Sequence, residues 1–166
     1  ISFQETIMTE SIDTTPSTDA PTSDVEIKRA AQDRLHDALQ PGNKAALFDA
    51  LAAASVTLVV VTFDGYGDSG QIENIEVKAG DTVIDMPIGE IEMATAVWDQ
   101  AEPDRSHLSI NDAIEQLAYD FLSQTHCGWE DNDGAYGDFT FDVAERTITL
   151  DYNERYTASD YTQHIF

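Results

Sequence analysis

One run stands out along the chain: SVTLVVVTF at 55–63 is β-branched and apolar at successive positions. It reads as a central strand covered on both faces. Downstream the pattern alternates. Ile75 and Val77 in QIENIEVK predict a half-exposed strand, and DGYGDSG between the two runs predicts a hairpin over 55–78 with a long, glycine-rich loop. Ala79-Gly80-Asp81 turns the chain, and Thr82 to Met86 predicts a short third strand ended by Pro87. Phe139, Phe141 and Val143 alternate, as do Ile148, Leu150 and Tyr152, predicting a second hairpin with a tight turn near Ala144-Glu145. Residues 88–107 show no period that assigns them.

Helical spacing appears three times. Asp24 can cap a helix from Val25 with apolar Ile27, Ala31, Leu35 and Ala38, which Pro41-Gly42 interrupts. A second helix over 44–53 places Leu47, Phe48 and Leu51 on one face. Ile114, Leu117, Ala118, Phe121 and Leu122 predict a third, opened by Ser109 with Asp112 as in a capping box and ended by Gly128. The order α-α-β-β-(β)-α-β-β predicts an α+β fold: an antiparallel sheet built from two hairpins with helices packed on one face. Residues 25–166 form that single domain. Residues 1–24, acidic and rich in threonine and proline, are predicted disordered, and Met8 looks like a natural start that makes 1–7 a remnant.

Charge changes the picture most. Thirty-two acids against eight bases leave a net −24. Residues 25–54 balance at four of each, whereas residues 55–166 hold 23 acids and four bases. Such a surface repels nucleic acid and anionic lipid and attracts a basic protein surface. Adaptation to high salt, a carboxylate surface that mimics a nucleic acid backbone, and divalent metal binding each account for this. No leader pattern and no run of ~20 apolar residues is present, so no membrane role is expected and a cytoplasmic location is.

The single cysteine, Cys127, excludes an internal disulfide and a CxxC zinc site; a buried or incidental thiol is expected there despite the adjacent His126. GDSG at 67–70 lacks the spacing of a nucleophile elbow, so Ser69 is not expected to be catalytic.

The most specific local signals are two turns, DGYGD at 64–68 and DGAYGD at 133–138. If they meet, the carboxylates of Asp64, Asp68, Glu130, Asp131, Asp133 and Asp138 approach one another, raising their pKa values unless a cation relieves them. Oxygen ligands of this kind suit Ca²⁺ or Mg²⁺, which makes Asp64, Asp68, Asp131, Asp133 and Asp138 candidate metal ligands. The EF-hand loop template fails in both registers: from Trp129 it meets Thr140 at position twelve, and from Asp64 it meets Ser69 at position six. Tyr66, Trp129 and Tyr136 join the acids as candidate contacts for a partner.

VTFDGYGDSGQIE at 61–73 and GWEDNDGAYGDFTFDVAERTITLDYNERYT at 128–157 resemble an uncharacterised family of small acidic bacterial proteins, often encoded on plasmids and mobile elements. The likeness runs from about residue 55 to the C-terminus. It implies no activity and no catalytic residue, but it implies a setting in which acidic proteins disarm host nucleases. The expected function is therefore a non-enzymatic acidic binding protein, an inhibitor or nucleic-acid mimic that engages a basic surface of a host defence or regulatory protein. A divalent-metal-dependent enzyme or sensor and an acidic structural accessory subunit are the alternatives; no other cofactor is expected.

Overall fold

A computed structural model describes residues 23–166. The disorder expected for residues 1–22 lies outside the described residues, but Ser23 and Asp24 open a helix. Helix α1 (Asp24–Ala53) starts one residue earlier than Asp24 would cap it. Ser23 Oγ accepts from Glu26 N–H at 3.2 Å, and Glu26 Oε2 accepts from Ser23 N–H at 2.7 Å, a reciprocal capping box. The hydrogen bond from the Ser23 backbone holds the Glu26 carboxyl below its ordinary range.

The expected break at Pro41-Gly42 does not occur: α1 continues through both residues. Proline removes one helical hydrogen bond, and contacts made by the next turn of the helix compensate. Asn43 is buried, and its amide pairs with the backbone of Ala94 in both directions, Nδ2 donating to Ala94 O at 2.8 Å and Oδ1 accepting from Ala94 N at 2.9 Å. Leu47, Phe48 and Leu51 then enter the core, each burial worth roughly 1.5–3 kcal/mol. The stripe expected upstream is not buried; Ile27, Ala31 and Ala38 are exposed, and the first half of α1 projects past the core.

The strands are β1 (Leu58–Tyr66), β2 (Ser69–Ala79), β3 (Thr82–Ile84), β4 (Glu90–Thr95), β5 (Asp104–Ser109), β6 (Ala135–Asp142) and β7 (Thr147–Glu154), with α2 (Ile110–Thr125) between β5 and β6. Antiparallel pairing orders five of them β3-β2-β1-β6-β7, so the two hairpins join along β1 and β6. This is an α+β fold. Val59, Val61 and Phe63 of β1 and Phe139 and Phe141 of β6 share one buried face with Leu47, Phe48 and Leu51 of α1 and Ile114, Leu117 and Leu122 of α2. Ser109 Oγ caps α2 through Asp112 N–H at 3.0 Å.

Residues 88–107 hold β4 and most of β5, which pair as a ribbon that buries Ile91 and Met93. Among the described residues, no helix is long and apolar enough to cross a membrane.

β1 is central, as expected, but among the described residues it is covered on one face only. Leu58, Val60, Thr62 and Asp64 point to the other, where they are half-buried by neighbouring side chains alone. Polar partners on β2, β6 and β7 explain this: Val60 sits between Glu76 and Thr140, and Thr62 between Asn74 and Asp138.

Candidate functional site

The two turns meet. The first is tighter than DGYGDSG suggests, because Gly65 and Gly70 are strand residues paired with each other. Only Gly67 and Asp68, with φ of 61° and 65°, form the turn, the two-residue geometry whose twist suits a hairpin. Gly67 N–H donates to Asn132 O at 3.2 Å, Asp68 N–H to Glu130 O at 3.1 Å, and Asn132 N–H to Asp68 Oδ1 at 3.4 Å. The second turn is therefore bonded to the tip of the first hairpin by its backbone.

Trp129, expected as an exposed contact, is 7% exposed. Its indole lies across the Gly65–Gly70 pair, where a Cβ on Gly65 would stand 2.7 Å from Cζ3, and it meets the Phe63 ring edge-on at 5.5 Å. It is a clasp of the core, because two facing glycines leave a ring-sized slot on the buried face. Glu130 is likewise turned in, with Oε2 buried and, among the described residues, without a hydrogen-bond partner.

The remaining acids take separate partners. Asp64 Oδ1 pairs with Arg155 Nη1 at 2.9 Å, Asp133 Oδ2 accepts from Thr157 Oγ1 at 2.8 Å, and Asp138 Oδ1 accepts from Thr62 Oγ1 at 2.6 Å. The side chain of Asp131 lies beside Gly128. Asp64, Asp68, Asp131, Asp133 and Asp138 thus do not converge as one ligand set. Among the described residues, no three His, Cys, Asp or Glu side chains are grouped to hold a metal ion.

Arg155 has no signal in the sequence pattern, although it is one of three bases after residue 100. Its Nη1 also donates to Gly65 O at 2.9 Å, and its guanidinium lies 4.6 Å from the centre of the Tyr136 ring. An exposed ion pair alone is worth little, but a carbonyl bond from the same Nη1 and the planar guanidinium's contact with the ring add to it. Arg155→Ala is expected to cost about 2 kcal/mol. Arg155→Lys should recover less than half of that in urea denaturation; full recovery would reduce Arg155 to a point charge.

Tyr152 stacks on His126 with centroids 3.6 Å apart, and burial, then Glu154 and Glu130, push its phenol pKa up. Cys127, expected to be buried or incidental, is exposed.

Asp64, Tyr66, Tyr136 and Asp138 all lie on the face of the five-stranded sheet away from the helices, and strand register adds Glu76, Asp142 and Asp151. Tyr66 is 68% and Tyr136 45% exposed. Asp138 and Asp151 stand directly opposite each other across β6 and β7. The bases at this face are committed, Lys78 to Glu76 at 2.9 Å and Arg155 to Asp64. The candidate site is therefore wider than two loops: an open, anionic sheet face with two tyrosines at one end.

A family model described as "Family of unknown function (DUF6878)" matches residues 39–166. No curated protein and no solved structure matches the chain.

Proposed function

The chain belongs to the DUF6878 family of unknown function, and from the geometry of its open sheet face we propose that it is a non-enzymatic binding protein for a basic protein surface. The observation that carries this is the Asp138–Asp151 pair. Like charges directly opposite in a sheet destabilise the isolated chain. The Thr62 hydroxyl supports Asp138, and among the described residues no base is paired with either acid. A cationic partner relieves both at once, and Tyr66 and Tyr136 supply anchors beside them.

The partner of best fit is a host defence or regulatory protein of the cytoplasm whose nucleic-acid groove the carboxylates would occupy. The plasmid or mobile-element setting implied by the resemblance suits such an inhibitor. Strands hold the charges at fixed spacing, as a phosphate backbone does, which supports the mimic form of the reading.

The Asp138→Asn/Asp151→Asn double variant tests it. Removing the repulsion should raise the unfolding midpoint by about 2–4 °C, the response of a chain this size to ~1 kcal/mol. The partner captured from host lysate by the wild type should bind the variant at least tenfold more weakly, and its wild-type affinity should fall steeply as salt shortens the screening length below ~8 Å. Equal affinity for the variant, or a partner indifferent to salt, would refute the reading.

A further inference from the structure

We propose that the free edge of β7 and the apolar groove beside it form a second docking surface, which takes up an extended basic segment of a partner as a sixth strand. β7 ends the strand order, and among the described residues Thr147–Glu154 form backbone hydrogen bonds with β6 alone. Register fixes where the other groups point. Arg155 N–H donates to Gly134 O at 2.9 Å. Antiparallel alternation then turns the amides and carbonyls of Thr147, Thr149, Asp151 and Asn153 toward β6, and those of Ile148, Leu150 and Tyr152 to the open edge.

Ile148 and Leu150 also line a groove of about 450 Å³, with Phe139 of β6, Phe121 of α2, and Gln40 and Pro41 of α1 on its other walls. The residues that offer free backbone groups at the edge thus offer their side chains to the groove. That is the arrangement by which sheets accept an added strand: main-chain hydrogen bonds on the edge, a pocket for alternate side chains beside it.

One polar group at the groove is short of a partner. Gln40 Nε2 is buried with no hydrogen-bond partner among the described residues. A ligand backbone carbonyl supplies the acceptor.

Charge selects the occupant. From Thr147 to Glu154 the strand carries Asp151 and Glu154 and no base, and the arginines that flank it are paired, Arg146 with Asp49 and Arg155 with Asp64. Asp37 and Lys44 offset each other at the groove wall, leaving the strand and the net −24 of the chain to favour a basic segment. β7 lacks the lysine, proline or bulge with which free edges are ordinarily blunted.

The test pans a random peptide phage library on the whole chain at low salt, then titrates the most enriched peptide into isotope-labelled chain. Enriched peptides should alternate apolar and basic residues. On binding, the amides of Ile148, Leu150 and Tyr152 should gain protection from hydrogen exchange, while those of Thr149 and Asp151, already bonded to β6, stay unchanged. N-methylation of alternate peptide residues should weaken binding at least ~10-fold. Absence of enrichment, or equal binding of the N-methylated peptide, would overturn the proposal. So would peptides that perturb Tyr66, Asp68 and Tyr136 but leave β7 untouched, an outcome that favours the acidic face alone. Protection of the β7 amides by raising the concentration of the chain itself would make the occupant a second copy and overturn it equally.

Discussion

Gly134→Ala should cost on the order of 4 kcal/mol and lower the unfolding midpoint by about 10 °C. Two effects add there. Gly134 has a φ of 73°, where a side chain strains the backbone. A Cβ would also fall inside the van der Waals radius of Gly65 O, and that neighbour is backbone within a paired strand. Relief requires the second turn to withdraw from the first, which breaks the bonds from Gly67 to Asn132 and from Asp68 to Glu130. Gly67→Ala is the control. Gly67 has a φ of 61° but open space around its missing Cβ, so alanine there should cost about 1 kcal/mol. Thermal unfolding followed by circular dichroism compares the two. A Gly134→Ala variant no worse than Gly67→Ala would mean that the turns are not locked together.

Trp129→Ala should cost about 3–5 kcal/mol, the range for deleting a large buried aromatic. The slot over Gly65 and Gly70 cannot collapse, because both glycines are held by the β1–β2 pairing. Trp129→Phe keeps part of the contact with Phe63 and should lie between. Emission provides a second readout. Trp129 is buried and Trp98 is 46% exposed, so the alanine variant should lose the blue-shifted part of the spectrum and keep the red-shifted part. A loss below about 1 kcal/mol would place the indole outside the cohesive core.

The elements that could be read from the chain are those whose signal is local. Alternation in 139–152 reports a half-buried hairpin directly, and the spacing of Ile114, Leu117, Ala118, Phe121 and Leu122 reports a helix face; the structure has both. Pro41 misled because its local cost was outweighed by a partner 51 residues away, the Ala94 backbone that holds Asn43. The β4–β5 ribbon was missed although Ile91 and Met93 alternate, since its mate Asp104–Ser109 is polar. At the site, the acids and tyrosines could be named, but Trp129 could not be told from a surface anchor. Its burial depends on two glycines facing each other across a register that the chain does not spell out. Arg155 was hidden for the same reason: its worth comes from Asp64, Gly65 and Tyr136, assembled from three different strand positions.

The pairing of β1 with β6 has a kinetic side. Val61 meets Phe139, a separation of 78 residues (139 minus 61), so the middle of the sheet is its least local part. On a ribosome adding about 5–20 residues per second, the β1–β2 hairpin exists for several seconds before its neighbour has been made. During that interval Val59 and Val61 lie in a hairpin whose inner edge is open, a template for another nascent chain. Asp64, Asp68, Glu73 and Glu76 ride on the same hairpin with Lys78 as their one opposing base. These carboxylates thus repel sister chains while the sheet is being built.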